Sequence, residues 1–175
     1  MSELLEHVDS FDKFFLERLE DYNELKVYKF QDYDLKWMKK LLKFGEKAFG
    51  DETYDVYSIV FQIYYGNVFI LKDGDDDQNI EGVAAFSRAW DDDDLVYLSD
   101  FAISENARGK SIGKLFMKMV IGNIKDQGFK TIRLTVNPTN ESAVILYQKS
   151  GFEIVEKIDE LYGPGADRYI MELNL

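Results

Sequence analysis

The sequence predicts a single domain of the α/β class (mixed α+β), built on one mixed sheet. Its 175 residues suffice for one sizeable core but not for two ordinary domains and a linker. Apolar residues make up 46% of the chain and aromatics 15%, with two prolines and no Pro/Ser-rich tract, so its composition is that of a folded protein. Segments of period 2 and period 3.6 follow one another without repeat, in the order strand, two helices, three strands, helix, strand, helix, two strands. About seven strands, mostly antiparallel, and about four helices are expected, behind one additional N-terminal helix.

Leu4, Leu5, Val8, Phe11, Phe14, Phe15 and Leu19 recur at near-helical spacing. Residues 1–22 are therefore expected as a helical extension to a domain spanning 23–175. "LKVYKF" at 25–30 reads as a strand. Leu35, Trp37, Met38, Leu41, Leu42 and Phe44 suit a helix over 33–49, ended by Gly45 or Gly50. A second helix is expected over 54–65, although its β-branched and tyrosine content favours a helix less. "NVFILKD" and "IEGVAAFSRAW" form a hairpin across 74–79, and "LVYLSDFAI" is the next strand, joined across 91–94.

Ile112, Leu115, Phe116, Met119, Val120 and Ile124 share one helical face, with Gly128 as its C-terminal stop. Ile132, Leu134 and Val136 alternate with Thr131, Arg133 and Thr135, the pattern of a half-buried strand. Asn140 can cap a helix that buries Ala143, Val144, Leu146 and Tyr147, and Gly151 ends it. Two strands, 152–158 and 167–173, close the chain around "LYGPGA".

Composition excludes several chemistries. With no cysteine there is neither a disulfide framework nor a thiol nucleophile, and the single histidine, His7, rules out a His-based metal cluster. No run approaches the ~18 apolar residues of a membrane span, and the N-terminus is acidic where a signal peptide is basic. A cytoplasmic location is the expectation. The formal net charge of −12 repels nucleic acid and anionic lipid, so a charged partner is expected to be cationic.

The informative stretch is "ISENARGKSIGKLF", residues 103–116, where a strand gives way to a helix. A helix N-terminus exposes unpaired N–H donors and about half a positive charge, which suits an anion. Gly109 and Gly113 allow close backbone approach, Arg108 and Lys110 add charge, and Ile112, Gly113 and Lys114 open the helix, a setting for a pyrophosphate. Neither the Walker spacing nor the dinucleotide "GxGxxG" is present.

Together with "NESAVILYQKSGFE", residues 140–153, this stretch resembles the GNAT superfamily of acyl-CoA-dependent N-acyltransferases. Arg108, Ser111 and Gly113 match its Gln/Arg-x-x-Gly-x-Gly/Ala turn, and Asn140, Ala143, Tyr147, Gly151 and Phe152 match its second signature. Ser111 departs from the pattern, standing where the family has glycine; it restricts the backbone and adds a hydroxyl. The resemblance spans roughly residues 25–175 and is strongest after Leu95. It implies a sheet splayed beside the strand before the loop, with acetyl-CoA as cofactor. Backbone groups of Phe101, Ala102 and Ile103 are then expected on the pantetheine arm and thioester, Asn140 on the pantetheine, and Tyr147 as donor to the leaving thiolate.

Transfer to an amine also needs a group to collect the amine's proton. Asp100 is the nearest carboxylate candidate, with Tyr97 or a water as rivals, and a bulge in the strand would decide which face Asp100 takes. With no cysteine and no Ser–His pair, direct attack in a ternary complex is expected. The family's acceptor site lies between the first helices and the last hairpin loop. That implies residues 44–65, with Tyr54, Tyr57, Tyr64 and Tyr65, and residues 160–171, where Tyr162 resembles the branch that acetylates protein N-termini. Aromatics with Glu52, Asp55, Asp159, Glu160 and Asp167 would make a cation-accepting cleft, whereas a tyrosine stripe at helical spacing is commonly core. The aspartate runs at 73–77 and 91–94 read as solvated loops. Peptide or protein amines and polyamine-like amines both remain open as acceptors, as do a homodimer, a catalytically silent acyl-CoA-binding module and a purely structural role.

Overall fold

The computed structural model describes residues 15–19, 22–30, 35–50, 55–74 and 80–175. Eight strands form one sheet: β1 (Phe15–Leu19), β2 (Tyr22–Phe30), β3 (Asn67–Asp73), β4 (Ile80–Arg88), β5 (Leu95–Ile103), β6 (Thr131–Val136), β7 (Glu153–Ile158) and β8 (Arg168–Asn174). Their order is β1-β2-β3-β4-β5-β6-β8-β7. Every pairing is antiparallel except β5 with β6. Four helices complete the fold: α1 (Leu35–Phe49), α2 (Val56–Tyr65), α3 (Ile112–Asp126) and α4 (Glu141–Lys149).

Alternation along the strands divides the core in two. Leu25, Val27, Phe69, Leu71, Ala84 and Phe86 face the cluster that α3 and α4 complete with Phe116, Val120, Ile124 and Tyr147. Their neighbours Tyr28, Phe30, Val68, Ile70, Val83 and Ala85 face a second cluster, filled by Trp37, Leu41, Ile59 and Ile63 of α1 and α2. The sheet thus carries α1 and α2 on one face and α3 and α4 on the other.

The strand and helix expectations hold to within a few residues from β2 onward. The exception is the N-terminal extension: Phe15–Leu19, expected as the end of a helix, is a strand antiparallel to β2, and Tyr22 already belongs to β2. The outer edge of β2 would otherwise leave a row of backbone groups without ladder partners, and strand pairing there outweighs the near-helical spacing. The sheet gains an eighth strand accordingly. Residues 1–14, which carry the rest of that expected helix and His7, lie outside the described residues. Among the described residues no helix is long and apolar enough to cross a membrane, and no group of ligands could hold a metal ion.

Glycines end the helices as the spacing suggested, Gly50, Gly128 and Gly151 taking φ of +61°, +91° and +98°. α1 runs through Gly45 and stops before Gly50. In the 91–94 run, Asp94 pairs with Lys130 at 2.5 Å and Asp93 with Arg88 at 3.5 Å, so these carboxylates tie a turn to its neighbours.

Candidate active site

A single inserted residue in β5 sets the geometry of the site. Val96 and Leu98 belong to the α3–α4 core, so strict alternation would send Asp100 into that core as well. On β4, however, Ala85 pairs with Asp100 and Phe86 with Leu98, which leaves Ser99 as the extra residue of a bulge. Across it the parity flips. Ser99 and Asp100 both meet Gln62 of α2, Ala102 joins the α1–α2 core, and Phe101 and Ile103 pack on the α3–α4 side.

Beyond Tyr97 the strand also parts from β6, since their parallel pairing covers Leu95, Val96 and Tyr97. The Ser104 N–H donates to Glu81 O at 2.9 Å, tying that residue to β4. By alternation the N–H groups of Ile103 and Phe101 point the other way, into the gap, and that of Ala102 points to β4. Of the three residues expected to offer backbone donors, two therefore do so.

Asp100 is half-buried. Gln62 Nε2 donates to Asp100 Oδ2 at 2.6 Å and to Ser99 Oγ at 3.2 Å, and Ser99 Oγ donates to Ala85 O at 3.0 Å. Burial pushes the Asp100 carboxyl above the ordinary range, while the bonds from Gln62 and Ser99 pull it back. Beside it the Tyr97 hydroxyl lies 2.7 Å from Thr135 Oγ1 and 3.5 Å from the Tyr162 hydroxyl, with Thr135 Oγ1 and Tyr162 3.2 Å apart. Burial, above all, pushes the Tyr97 phenol up to about 12.

Tyr147 is held by its helix end. The Gly151 N–H bonds to Gln148 O and the Phe152 N–H to Tyr147 O, both at 3.0 Å, a Schellman motif that requires the left-handed φ of Gly151. Its characteristic apolar contact is Phe152 on Tyr147, rings tilted with centroids 5.7 Å apart, and Phe101 stands edge-on at 6.5 Å. The Gly–Phe pair of the sequence signature is therefore the device that orients this tyrosine. The Tyr147 hydroxyl has no hydrogen-bond partner among the described residues. Burial first, then the charge of Asp100, raises its acidity constant well above that of a free phenol.

At the end of β5, Ser104 caps a short 3-10 turn over 105–107 by accepting from the Ala107 N–H at 3.2 Å. Gly109 and Ser111 follow at φ of +73° and +62°, and α3 begins. The first N–H groups of α3, from Ile112, Gly113 and Lys114, have no intrahelical acceptor. A Cβ on Gly113 would stand 3.3 Å from Ile103 Cγ1, so glycine lets the helix start approach β5 closely, and the space around Gly109 is open. Tyr22 braces the loop from β2, its hydroxyl donating to Lys110 O at 2.6 Å. The loop thus fits a pyrophosphate: donors aimed outward, glycine at the close approach, and Arg108 and Lys110 alongside. Asn140 acts as the N-cap of α4, accepting from the Ala143 N–H at 3.2 Å.

Other candidates fall elsewhere. Tyr57 is 86% exposed, and Tyr64 and Tyr65 are exposed as well, so the α2 tyrosines form no core stripe and stand apart from the Asp100 cluster. Tyr54 and Glu52 lie outside the described residues. Asp55 caps α2 at Ser58 N (2.8 Å), Asp159 and Asp167 pair with Lys157, and Glu160 accepts from Gly165 N. The carboxylates expected to accept a cation are thus occupied by local structure. Gln62, Ser99, Thr135 and Tyr22 were missed. The amide of Gln62 inside the apolar run 59–65 was a usable signal; the others depend on strand pairing.

The fold is shared with solved acetyltransferases. The ribosomal-protein-S18-alanine N-acetyltransferase of Escherichia coli superposes with a TM-score of 0.69 at 16% identity, over 85% of this chain and 93% of that one. A GNAT family acetyltransferase of Elizabethkingia anophelis, solved with acetyl-CoA bound, gives 0.67 at 17% identity, over 87% and 99%. In sequence, the mycothiol acetyltransferase of Paenarthrobacter aurescens (strain TC1) is 39% identical over 62 residues, 35% of this chain and only 19% of that relative's length. The acetyltransferase (GNAT) family model matches residues 35–152, two thirds of the chain and all the elements from α1 through α4. The chain belongs to the GNAT acetyltransferase family.

Proposed function

We propose that the chain transfers an acetyl group from acetyl-CoA to a primary amine by direct attack, with donor and acceptor bound together. The observation that carries this reading is the bulge at Ser99, which turns Asp100 toward the acceptor face beside Tyr97 and leaves the edge of β5 free. Acetyl-CoA, held at Arg108, Gly109, Lys110, Ser111 and the first N–H groups of α3, supplies the acyl group as a thioester.

The chain's own groups do the rest. An alkyl ammonium of pKa ~10.4 is neutral in only about one molecule in 2,500 at pH 7. Asp100, made more basic by burial, takes that proton directly or through water. The hydroxyls of Tyr97, Thr135 and Tyr162 orient the amine. The N–H groups of Phe101 and Ile103 donate to the carbonyl oxygen as negative charge gathers there. Tyr147 donates a hydrogen bond toward the sulfur and keeps its proton, because its phenol is a far weaker acid than a thiol of pKa ~8.5.

Incubation with acetyl-CoA and a panel of primary amines and free peptide N-termini tests this reading through release of CoA thiol. Release is expected with at least one acceptor, and Tyr147→Phe should lower kcat roughly 10- to 100-fold while leaving CoA affinity intact. Binding of CoA without turnover of any amine would make the chain an acyl-CoA-binding regulatory module. No binding of CoA at all would refute both readings.

A further inference from the structure

We infer that the acceptor is a peptide carrying acidic side chains shortly after its amino terminus, and that a row of lysines on α1 binds them. The inference rests on the acetyl-transfer reading above and names the acceptor class for it. A cleft of about 770 Å³ opens between α1 and residues 103–108 at the end of β5. Lys39, Lys40, Lys43, Lys47 and Arg108 line it, against only two carboxylates, Glu81 and Glu105. Glu81 is already engaged by the Ser104 hydroxyl. Lys39, Lys43 and Lys47 follow one another at four-residue spacing on one exposed face of α1, where like charges repel. None of these three forms an ion pair among the described residues. In a chain of net charge −12, such an uncompensated basic cleft is a local reversal of the prevailing field.

Two features assign the cleft to the acceptor rather than to the phosphates of the cofactor. The phosphate loop feeds α3, which packs on the opposite face of the sheet from α1. Asp100 and Ala102, by contrast, turn to the α1–α2 face, so the proton-accepting carboxylate and the lysine row share that side. From Asp100 to Ser104, which borders the cleft, β5 rises about 13 Å. An extended peptide covers that span in about four residues. An amine at Asp100 therefore brings roughly the third to fifth acceptor residues over the lysines. The carboxylates that would favour a basic acceptor, Asp55, Asp159 and Asp167, are held in a cap and in ion pairs.

The test uses the full chain saturated with CoA and two fluorescent peptides, alike except for glutamates or lysines at positions three to five. Binding is read by anisotropy, independently of turnover. The acidic peptide is expected to bind the wild type at least about fivefold more tightly, with an advantage that shrinks as salt is raised. The double variant Lys39→Glu with Lys43→Glu should abolish or reverse that preference while CoA affinity, measured by calorimetry, stays unchanged. Equal binding of the two peptides, or a preference for lysine, overturns the inference. So does a double variant that weakens CoA and leaves the peptide preference intact, which would make the cleft part of the cofactor site. Selective binding of the acidic peptide with no acetylation of any acceptor would instead tell against the transfer reading alone.

Discussion

Ser111 is the position where this chain departs from its family's glycine, and it stands at φ 62°, ψ 1°, in the left-handed region. For a residue with a Cβ that conformation costs about 1–2 kcal/mol, and the hydroxyl returns nothing through a capping bond. Ser111→Gly removes the strain but loosens the unfolded chain by about 0.5–1 kcal/mol. The net gain is roughly 0.5–1 kcal/mol, or about 1–4 °C in Tm for a domain of this size. Ser111→Ala keeps the Cβ and the strain and should stay within about 0.5 kcal/mol of wild type. Thermal and urea denaturation of the three proteins, with calorimetric titration of CoA, separate backbone from hydroxyl. The glycine variant is expected to be more stable and to hold or tighten CoA. A lower Tm for Ser111→Gly would refute the strain reasoning, and a tenfold loss of CoA affinity in both variants would make the hydroxyl itself a phosphate ligand.

Other perturbations act on the two residues that flank the gap. Gln62→Leu removes the donor that holds the Asp100 carboxylate, so the acidic limb of kcat/KM should move up by roughly one pH unit, as a bond to a charged group implies; an unmoved limb would sever Gln62 from Asp100. Gly151→Ala places a Cβ 3.1 Å from Leu173 Cδ1 at φ +98°, with an expected cost of about 1–3 kcal/mol and a fall in kcat as Tyr147 loses its orientation, measured by denaturation and steady-state kinetics. Asp100→Asn should raise stability near neutral pH. The buried Asp100 carboxyl has a folded-state pKa above its unfolded value, so its stabilising contribution is present at acid pH and is lost as pH rises through the folded value. The advantage of the variant in Tm should shrink on acidification.

The phosphate loop and the α4 signature were legible because their physics is local: a left-handed glycine, an N-cap and a helix start can each be read from neighbouring residues. The same holds for β3 to β5, whose alternation is uninterrupted up to Leu98. Legibility failed where one segment's state depends on another's edge. Phe15–Leu19 is a strand because β2 offers it backbone partners, and no periodicity within the segment announces that. Asp100 was identified as a candidate, but its face depended on the bulge at Ser99, which exists only in the register between β4 and β5. The acidic candidates Asp55, Asp159 and Asp167 carry the right chemistry for a cation, yet a cap and the ion pairs with Lys157 occupy them. Net charge misled in the same way, since −12 over the chain conceals the lysine row on α1.

The central claim is that the bulge makes Asp100 the proton acceptor of an amine acetyltransferase. It is tested most directly by acetyl-CoA-dependent thiol release from wild type and Asp100→Asn with one good acceptor, alongside calorimetric CoA affinity for both. The account predicts CoA dissociation constants that agree within about twofold and a kcat/KM lower by about 100-fold or more in the variant. A variant that binds CoA normally and turns over at the wild-type rate would contradict it.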